Sequence, residues 1–301
     1  MSCVIIGHAS KGDKINMAFL FEILKSVIYG IIQGVTEWLP ISSTGHLILL
    51  NTVLPLNVFN DAAQNTSFWE MYKVVIQFGS ILAVVLVYFN KLNPFSSKKN
   101  NLEKKATWDL WIKIIIATIP AGIAGVLLDD IVDEKLSTPV VVAIALIVYG
   151  VLFLVMKRVS KGKVNSLKEL DNKTAFEIGC FQMLALIPGT SRSGSTILGS
   201  TLLGCNRTTA TEFSFFMAIP VMLGASVLKL IKMKAPFTFS AFIILLVGMA
   251  VAFIVSVVVI RSFLKYIRRH DFKVFGIYRI ILGILILILA LTNLLPSGLA
   301  A

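Results

Sequence analysis

Residues 40–46, with the sequence PISSTGH, and residues 188–195, PGTSRSGS, are rich in hydroxyl groups and glycine, yet each lies in strongly apolar surroundings. Polar, helix-breaking backbone is tolerated inside a bilayer only where it is buried in protein or lines a cavity. Both stretches also have the pattern of a junction between a loop and a helix, where backbone N–H groups can receive an anion. Together they predict one intramembrane site.

The composition indicates a lipid environment for this chain. Hydrophobic residues make up 56% of the 301 residues, charged residues make up 15%, and the mean hydropathy is +0.85, far from a soluble domain. Most of the apolar runs approach the roughly 20 residues of a spanning helix. These runs are residues 19–35, 74–89, 110–128, 140–156, 213–230, 239–260 and 275–294. We expect an all-α integral membrane protein with about six full transmembrane helices and two broken segments, near residues 41–54 and 174–204.

The formal charge of +12 would suggest a nucleic-acid partner in a soluble protein, but here the cations lie in loops between the apolar runs. The positive-inside rule explains them there. The loops rich in Lys and Arg, which we expect to be cytoplasmic, are residues 91–105, 157–168 and 261–269. The acidic turn at residues 129–134 is then outside, and Lys229, Lys232 and Lys234 are an exception to this orientation.

The chain is expected to form a single membrane domain over residues 17–294. We expect a weakly ordered extension at residues 1–16 and a tail at residues 295–301. Met17 is a candidate start besides Met1.

Internal similarity links the two halves of this domain. Residues 38–40, WLP, precede hydroxyl residues and Gly45, and residues 186–188, LIP, precede hydroxyl residues and Gly194. The predicted repeats are residues 17–156 and 173–294, approximately. The alternative is a coincidence of Pro, Gly and Ser in unrelated loops.

The repeats are predicted to have opposite orientations in the membrane. Each polar unit precedes an acidic residue, Glu70 or Glu212, that we expect to open a long span. An odd number of crossings separates the two units, and inverted repeats bring broken-helix tips together near the midplane. We therefore expect an inverted-topology repeat with two re-entrant broken-helix hairpins.

Gln33 and Glu37 are spaced i, i+4, so on a helix both project from one face, and Pro40 ends the helix just beyond them. An ionised Glu37 at membrane depth costs several kcal/mol unless it is paired. A cation or an arginine should therefore lie nearby. The alternative is a carboxylate solvated at the outer interface.

His46 is the candidate proton-transfer group of the first stretch. Ser42, Ser43 and Thr44 can cap the helix that starts near Gly45, and capping alone would explain them. His46, three residues after Ser43, is the only histidine within an apolar context. A neutral imidazole can accept a proton and return it, although a lone histidine is more often structural.

Arg192 is the candidate phosphate ligand of the second stretch. Its guanidinium matches phosphate oxygens bidentately, and Gly189 and Gly194 allow backbone N–H groups to approach as well. The alternative is a structural ion pair with Glu37 or Glu212. The combined set of groups suits phosphoryl chemistry on a lipid.

Residues 33–46, QGVTEWLPISSTGH, and residues 188–194, PGTSRSG, resemble the two signatures of the bacterial undecaprenyl-diphosphate phosphatase (bacitracin-resistance) family. The resemblance runs from about residue 19 to residue 294. Supporting stretches are residues 74–83, 179–182, 212–215 and 277–279. The resemblance implies removal of the terminal phosphate of the C55 isoprenyl diphosphate, which recycles the carrier lipid for peptidoglycan synthesis, with a divalent cation required.

The resemblance also implies roles for individual residues. Glu37 and Gln33 match a pair implicated in the metal and the diphosphate, with Mg²⁺ or Ca²⁺ as the ion. Gln33 stands where the family often has Glu, which leaves a single charged ligand. Ser43 and His46 match the candidate nucleophile and acid/base, and Arg192 matches the phosphate clamp. The predicted phosphate-binding residues are Arg192, Ser191, Ser193, Gly194, Thr44 and Gly45. Whether Ser43 becomes phosphorylated or water attacks directly is left open.

Two other classes of protein share parts of this pattern. A soluble-type acid phosphatase with an S-G-H motif needs a second histidine six residues after the arginine, where this chain has Leu198. A polyprenyl-phosphate flippase is the stronger alternative, because inverted repeats with broken helices are typical of transporters.

The expected partners are a polyprenyl diphosphate lipid and the bilayer, with no nucleic acid, and a homodimer is left open. The expected location is the bacterial cytoplasmic (inner) membrane as a multi-pass protein. Its site is expected to open to the outer, periplasmic side.

Overall fold

The protein is described here by a computed structural model that covers residues 11–156, 163–292 and 294–295. In this part of the chain the regular secondary structure is helical, apart from an isolated bridge between Val164 and Cys205. The helices are α1 (Lys11–Thr36), α2 (Ser43–Val53), α3 (Ala62–Val75), α4 (Gln77–Val87), α5 (Phe89–Leu92), α6 (Asn101–Ile131), α7 (Pro139–Val155), α8 (Asn172–Met183), α9 (Arg192–Leu202), α10 (Arg207–Lys232), α11 (Phe239–Ile267) and α12 (Lys273–Leu291). The prediction of an all-α protein is confirmed.

Within the described residues, six helical segments are long and apolar enough to cross a membrane. They are Met17–Thr36, Ala62–Val87, Asn101–Leu128, Arg207–Lys232, Phe239–Ile267 and Lys273–Leu291. α7 is apolar but shorter, at 17 residues. The predicted number of about six full transmembrane helices is therefore confirmed.

The two halves of the chain exchange their first helices. α1 of the first half packs on α11 of the second, and α8 of the second half packs on α6 of the first. The approach is close enough that a Cβ added to Gly30 would lie 2.6 Å from the Gly248 carbonyl oxygen, and one added to Gly179 would lie 2.4 Å from the Ala117 carbonyl oxygen. The first helix of each half therefore finds its packing surface in the other half.

The last helices of the two halves, α7 and α12, pack directly against each other. A Cβ on Gly150 would lie 2.8 Å from the Gly276 carbonyl oxygen, and one on Gly276 would lie 2.7 Å from the Gly150 carbonyl oxygen. The last helices of the two halves therefore touch through equivalent close backbone contacts.

Both predicted breaks are present in the chain. α1 stops at Thr36 and α2 begins at Ser43, while α8 stops at Met183, continues as a 3₁₀ turn over Leu184–Leu186, and is followed by α9 from Arg192. Each break directly follows an exchanged helix, and the two breaks are in contact with each other. Re-entry of these segments into a membrane remains a prediction.

Several helix boundaries differ from those expected. Glu70 and Glu212 lie inside α3 and α10 rather than at their starts, because Asp61 and Asn206 cap these helices through their side chains. α1 begins at Lys11, ahead of Met17. The rest of the predicted extension, residues 1–10, lies outside the described residues, as do residues 157–162 of the second basic loop and residues 296–301 of the tail.

Lys232, one of the three lysines that are an exception to the predicted orientation, contacts the acidic turn. Lys232 Nζ is 2.8 Å from Asp130 Oδ1, so the ends of α10 and α6 are joined by an ion pair. Opposite charges therefore meet at the side of the molecule that we expect to be outside.

Candidate active site

Ser42 and Ser191 occupy equivalent positions at the two breaks. Each caps a short helix with its side chain: Ser42 Oγ accepts from Gly45 N at 3.3 Å, and Ser191 Oγ accepts from Gly194 N at 3.1 Å. Both have a φ of 72°, which is rare for residues other than glycine. Strained backbone of this kind is characteristic of active sites and ligand loops. The same strain and the same cap therefore recur at both breaks, a similarity that the predicted repeat would explain.

Glu37 connects the two loops. Its Oε2 accepts hydrogen bonds from Ser43 Oγ at 2.6 Å and from Gln33 Nε2 at 3.0 Å, and its Oε1 lies 3.1 Å from Arg192 Nη2. The residue is 4% exposed. A buried carboxylate needs both a charged partner and hydrogen bonds, and this one has both. The carboxylate therefore holds the hydroxyl of one break and the guanidinium of the other in a single cluster.

Arg192 contacts both the first loop and α10. Its Nη1 donates to the Ser214 carbonyl oxygen at 2.7 Å, and the guanidinium carbon lies 5.7 Å from the ring centre of Trp38. Its Nε is buried without a hydrogen-bond partner among the described residues. The ion pair with Glu37, which the sequence left open as an alternative, is present, and one donor of the guanidinium remains unused.

Ser193 ties α9 to the first loop. Its Oγ lies 3.2 Å from the carbonyl oxygens of Glu37 and Leu39, and it is buried. Its contact with phosphate stays a prediction, and in this arrangement the hydroxyl is hydrogen-bonded to these two backbone carbonyls.

Arg279 of α12 is fully buried and holds the two loops together. Its Nη1 donates to the Pro40 carbonyl oxygen at 3.1 Å, and its Nη2 donates to those of Gly189 and Thr190 at 2.9 Å each. Its guanidinium carbon lies 5.4 Å from the Tyr149 ring centre. Sequence reasoning gave it no role, although a lone arginine inside an apolar run is itself a signal of function or structure.

Gly189 must be glycine for two reasons. Its φ is +92°, and an added Cβ would lie 2.6 Å from the carbonyl oxygen of Val142 in α7. The second loop therefore presses its backbone directly onto α7, and this contact helps to orient the carbonyl that Arg279 binds.

His46 makes its hydrogen bonds with Ser42 and Tyr278 and not with the cluster around Glu37. Its Nδ1 donates to the Ser42 carbonyl oxygen at 2.7 Å, which leaves Nε2 to accept from the Tyr278 hydroxyl at 2.6 Å in the neutral ring. The two rings are stacked with centres 5.7 Å apart. His46 does not line the cavity described next, so both of its contacts are with the protein.

A cavity of about 260 Å³ opens beside the Glu37 cluster. Of the predicted site residues, those that line it are Glu37, Ser43, Thr44, Ser191 and Arg192. The other predicted residues do not line it; they are Gln33, Gly45, His46, Ser193 and Gly194.

The polar lining includes four residues that sequence reasoning missed, Lys73, Gln77, Gln182 and Lys229. The rest of the wall is largely apolar, with Ala121, Leu186, Val221, Met222 and Leu228 among its residues. Lys73 also pairs with Glu70 at 2.5 Å. With Glu70 counted, three cationic side chains stand against two carboxylates, so the cavity keeps a net positive charge that favours an anionic ligand, and the apolar wall suits a lipid.

Gln33 and Glu37 supply the oxygen atoms that could hold a divalent cation. Gln33 Oε1 is buried without a hydrogen-bond partner among the described residues. In that part of the chain no cluster of three or more His, Cys, Asp or Glu side chains is suited to a metal. One carboxylate and one amide oxygen fit a hard cation that takes most of its ligands from a bound diphosphate and water.

The family model described as "Bacitracin resistance protein BacA" matches residues 26–285. The chain belongs to this family. The chain matches several relatives over almost the whole of their length. A protein of Clostridioides difficile (strain 630), named undecaprenyl-diphosphatase 1, is 55% identical over 269 residues, which are 89% of this chain and 96% of that protein.

Two further relatives carry the name undecaprenyl-diphosphatase. The protein of Enterococcus faecalis is 51% identical over 273 residues, 89% of this chain and 97% of its own length. The protein of Acetivibrio thermocellus is 51% identical over 272 residues, 89% of this chain and 98% of its own length. The BacA family match spans both breaks and every residue of the Glu37 cluster.

Proposed function

We propose that this multi-pass membrane protein is an undecaprenyl-diphosphate phosphatase that releases the terminal phosphate of its lipid substrate in the cavity beside Glu37. The single observation that carries the proposal is the contact of Glu37 with both Ser43 and Arg192. A hydroxyl, a base and a phosphate-binding guanidinium thereby meet at the N-termini of two helices. The names of the BacA relatives support the substrate and favour hydrolysis over the flippase alternative. Bacitracin resistance and recycling of the carrier lipid are consistent with the family.

In the proposed reaction, Ser43 is the nucleophile and Glu37 is the base. Ser43 Oγ attacks the terminal phosphorus while its proton passes to Glu37 Oε2, 2.6 Å away. The bond between that phosphorus and the bridging oxygen breaks, and undecaprenyl phosphate leaves with the bond's electrons. Water then attacks the phosphorus of the phosphoserine, and the bond between that phosphorus and Ser43 Oγ breaks. Ser43 Oγ takes back the proton from Glu37, and the oxygen and both protons of the water leave with the phosphoryl group as dihydrogen phosphate.

Arg192 and the helix N-termini hold the phosphate that is transferred. The unused Nε of Arg192 and the N–H groups at the start of α2 and α9 are donors for negative charge that grows on the phosphoryl oxygens. Lys73 and Lys229 extend the positive potential along the cavity. These groups orient the diphosphate so that its terminal phosphorus faces Ser43.

A divalent cation, Mg²⁺ or Ca²⁺, is proposed to bind at Gln33 Oε1 and Glu37 together with the diphosphate. When bound, it neutralises phosphate charge. The support for this site is the buried acceptor of Gln33 without a partner, next to the only carboxylate that lines the described part of the cavity.

The cavity is proposed to open to the periplasmic side of the inner membrane, between two re-entrant hairpins of inverted orientation. Val132, which lies within the acidic turn that the positive-inside rule puts outside, and Ser137, which follows that turn, both line the cavity. The matching strained serines at the two breaks support the repeat.

Phosphate release from purified protein in detergent tests the function. We expect metal-dependent release of inorganic phosphate from undecaprenyl diphosphate, and chelation should stop it. A flippase would hydrolyse nothing. Arg192→Lys should lower kcat/KM about 30- to 1000-fold, because lysine supplies a point charge without the fork of donors. The matched control is Arg261→Lys on the exposed surface of α11, which should behave like the parent.

A further inference from the structure

Gln182 is a buried amide without a hydrogen-bond partner in the described part of the protein. It lies in the last turn of α8, is 2% exposed, and lines the cavity. Neither its Nε2 nor its Oε1 is bonded to a described residue. Buried polar groups are nearly always hydrogen-bonded, so each exception needs a reason. A ligand in the cavity would supply one.

The repeat relationship identifies the counterpart of Gln182. It precedes the strained cap Ser191 by nine residues, and Gln33 precedes the strained cap Ser42 by nine residues. Gln33 Nε2 donates to Glu37, four residues further along the helix. The residue four positions after Gln182 is Leu186, which offers no acceptor. The second half therefore retains the amide but lacks the carboxylate that would satisfy it.

The surroundings of Gln182 define the chemistry of the missing partner. The same cavity is lined by Lys73, Lys229 and Arg192, and Glu37 is the one carboxylate among the described lining residues. The Glu37 oxygens already accept from Gln33, Ser43 and Arg192. An anion with several acceptor oxygens would be drawn by the cations, and it would offer the amide an acceptor that the protein does not.

We propose that Gln182 is a substrate-binding residue whose Nε2 donates a hydrogen bond to an oxygen of the bound diphosphate. This inference rests on the proposed function for the identity of the ligand. Gln182 thus gives the second half of the chain a contact with the head group beyond that of Arg192. Its role is in binding, and the proton transfer between Ser43 and Glu37 does not pass through it.

The decisive variant is Gln182→Leu, because binding and structural roles predict opposite changes in stability. Leucine removes two buried polar atoms that have no protein partner, so the melting temperature of the ligand-free protein should stay the same or rise. The KM for undecaprenyl diphosphate should rise about 10-fold or more, with kcat changed much less. Gln182→Met is a second apolar replacement of similar length, and Gln182→Glu should weaken binding further through repulsion of the phosphate.

The same substitution at Gln64, in the first turn of α3 and away from the cavity, is the matched control and should leave KM unchanged. Inorganic pyrophosphate provides a readout without turnover. It should raise the melting temperature of the parent and of Gln64→Leu, and it should raise that of Gln182→Leu much less.

The results separate the two proposals. If the parent hydrolyses the lipid but Gln182→Leu keeps the parental KM and pyrophosphate shift, the inference about Gln182 is wrong and the proposed function stands. A fall in the melting temperature with an unchanged KM would make Gln182 a structural residue and would also overturn the inference. If the parent releases no phosphate, the function fails, and a pyrophosphate shift lost in Gln182→Leu would still assign phosphate binding to this amide.

Discussion

Ser43 Oγ donates a 2.6 Å hydrogen bond to Oε2 of Glu37, and this contact joins the hydroxyl at the start of α2 to the residue that directly follows α1. The other oxygen of the same carboxylate faces Arg192 from the second half of the chain. The carboxylate can therefore accept a proton from Ser43 while the guanidinium stabilises its charge. This arrangement is the basis of the first prediction.

Glu37→Gln should abolish most activity, because an amide cannot accept the Ser43 proton and no longer pairs with Arg192. We expect kcat to fall at least about 100-fold, the lower range for loss of a general base. Ser43→Ala should be equally damaging if Ser43 is the nucleophile, and the double variant should be little worse than either single one. Rapid-quench assays with lipid labelled in the terminal phosphate should detect labelled Ser43 in the parent. Substantial turnover by Ser43→Ala would instead indicate direct attack by water.

His46 provides the second prediction, since its ring contacts the Ser42 carbonyl and Tyr278 rather than the cavity. If the ring braces the loop, His46→Ala should lower kcat about 10-fold, the effect of one lost hydrogen bond, and the pH–rate profile should keep its shape. Tyr278→Phe, which removes only the hydroxyl, should have a smaller effect in the same direction. A fall of about 100- to 10,000-fold together with the loss of one limb of the profile would instead support the proton-transfer role predicted from the sequence.

Gln33 provides the third prediction, which concerns the metal. Gln33→Glu adds a second carboxylate beside Glu37, so the variant should remain active and need less divalent cation for half-maximal activity. Gln33→Leu should be much less active, because it removes both the donor to Glu37 and the buried acceptor. The measurement is a titration with Mg²⁺ and Ca²⁺ after chelation. Identical titration curves for the parent and both variants would show that Gln33 lies outside the metal site.

Arg279 provides the fourth prediction, which concerns stability. Arg279→Met leaves the carbonyl groups of Pro40, Gly189 and Thr190 without their donor in a buried setting. We expect the free energy of unfolding to fall by about 3 kcal/mol or more, with activity lost as the two loops separate. Thermal unfolding in detergent measures the effect, and Arg261→Met, at an exposed position of α11, is the control. Equal melting temperatures for the two variants would show that the loops hold together without Arg279.

The sequence was sufficient for the class of fold and for the position of the two breaks. Both depend on local signals: long apolar runs predict spans, and hydroxyl-rich stretches inside apolar sequence predict broken helices. The pairing of Glu37 with a cation could also be predicted from the sequence, because an unpaired carboxylate is too costly at membrane depth.

The rest depends on contacts between distant parts of the chain, which periodicity does not encode. Nothing near Gln182 or Lys73 in the sequence shows that they line the same cavity as Ser43. Arg279 reaches carbonyl groups of both loops only because α12 packs on α7. The contact of the His46 ring with Tyr278 could likewise not be predicted from the sequence, because Tyr278 lies in α12, far along the chain.

The exchange of first helices has a consequence for the order in which the protein is made. α1 emerges from the ribosome first, but its packing surface on α11 is synthesised only after most of the chain. The loop that follows α1 therefore cannot reach its final shape during early insertion. Such long-range pairing slows folding and leaves early segments exposed in the meantime. The newly made protein should remain without a working site until its last helices have entered the bilayer.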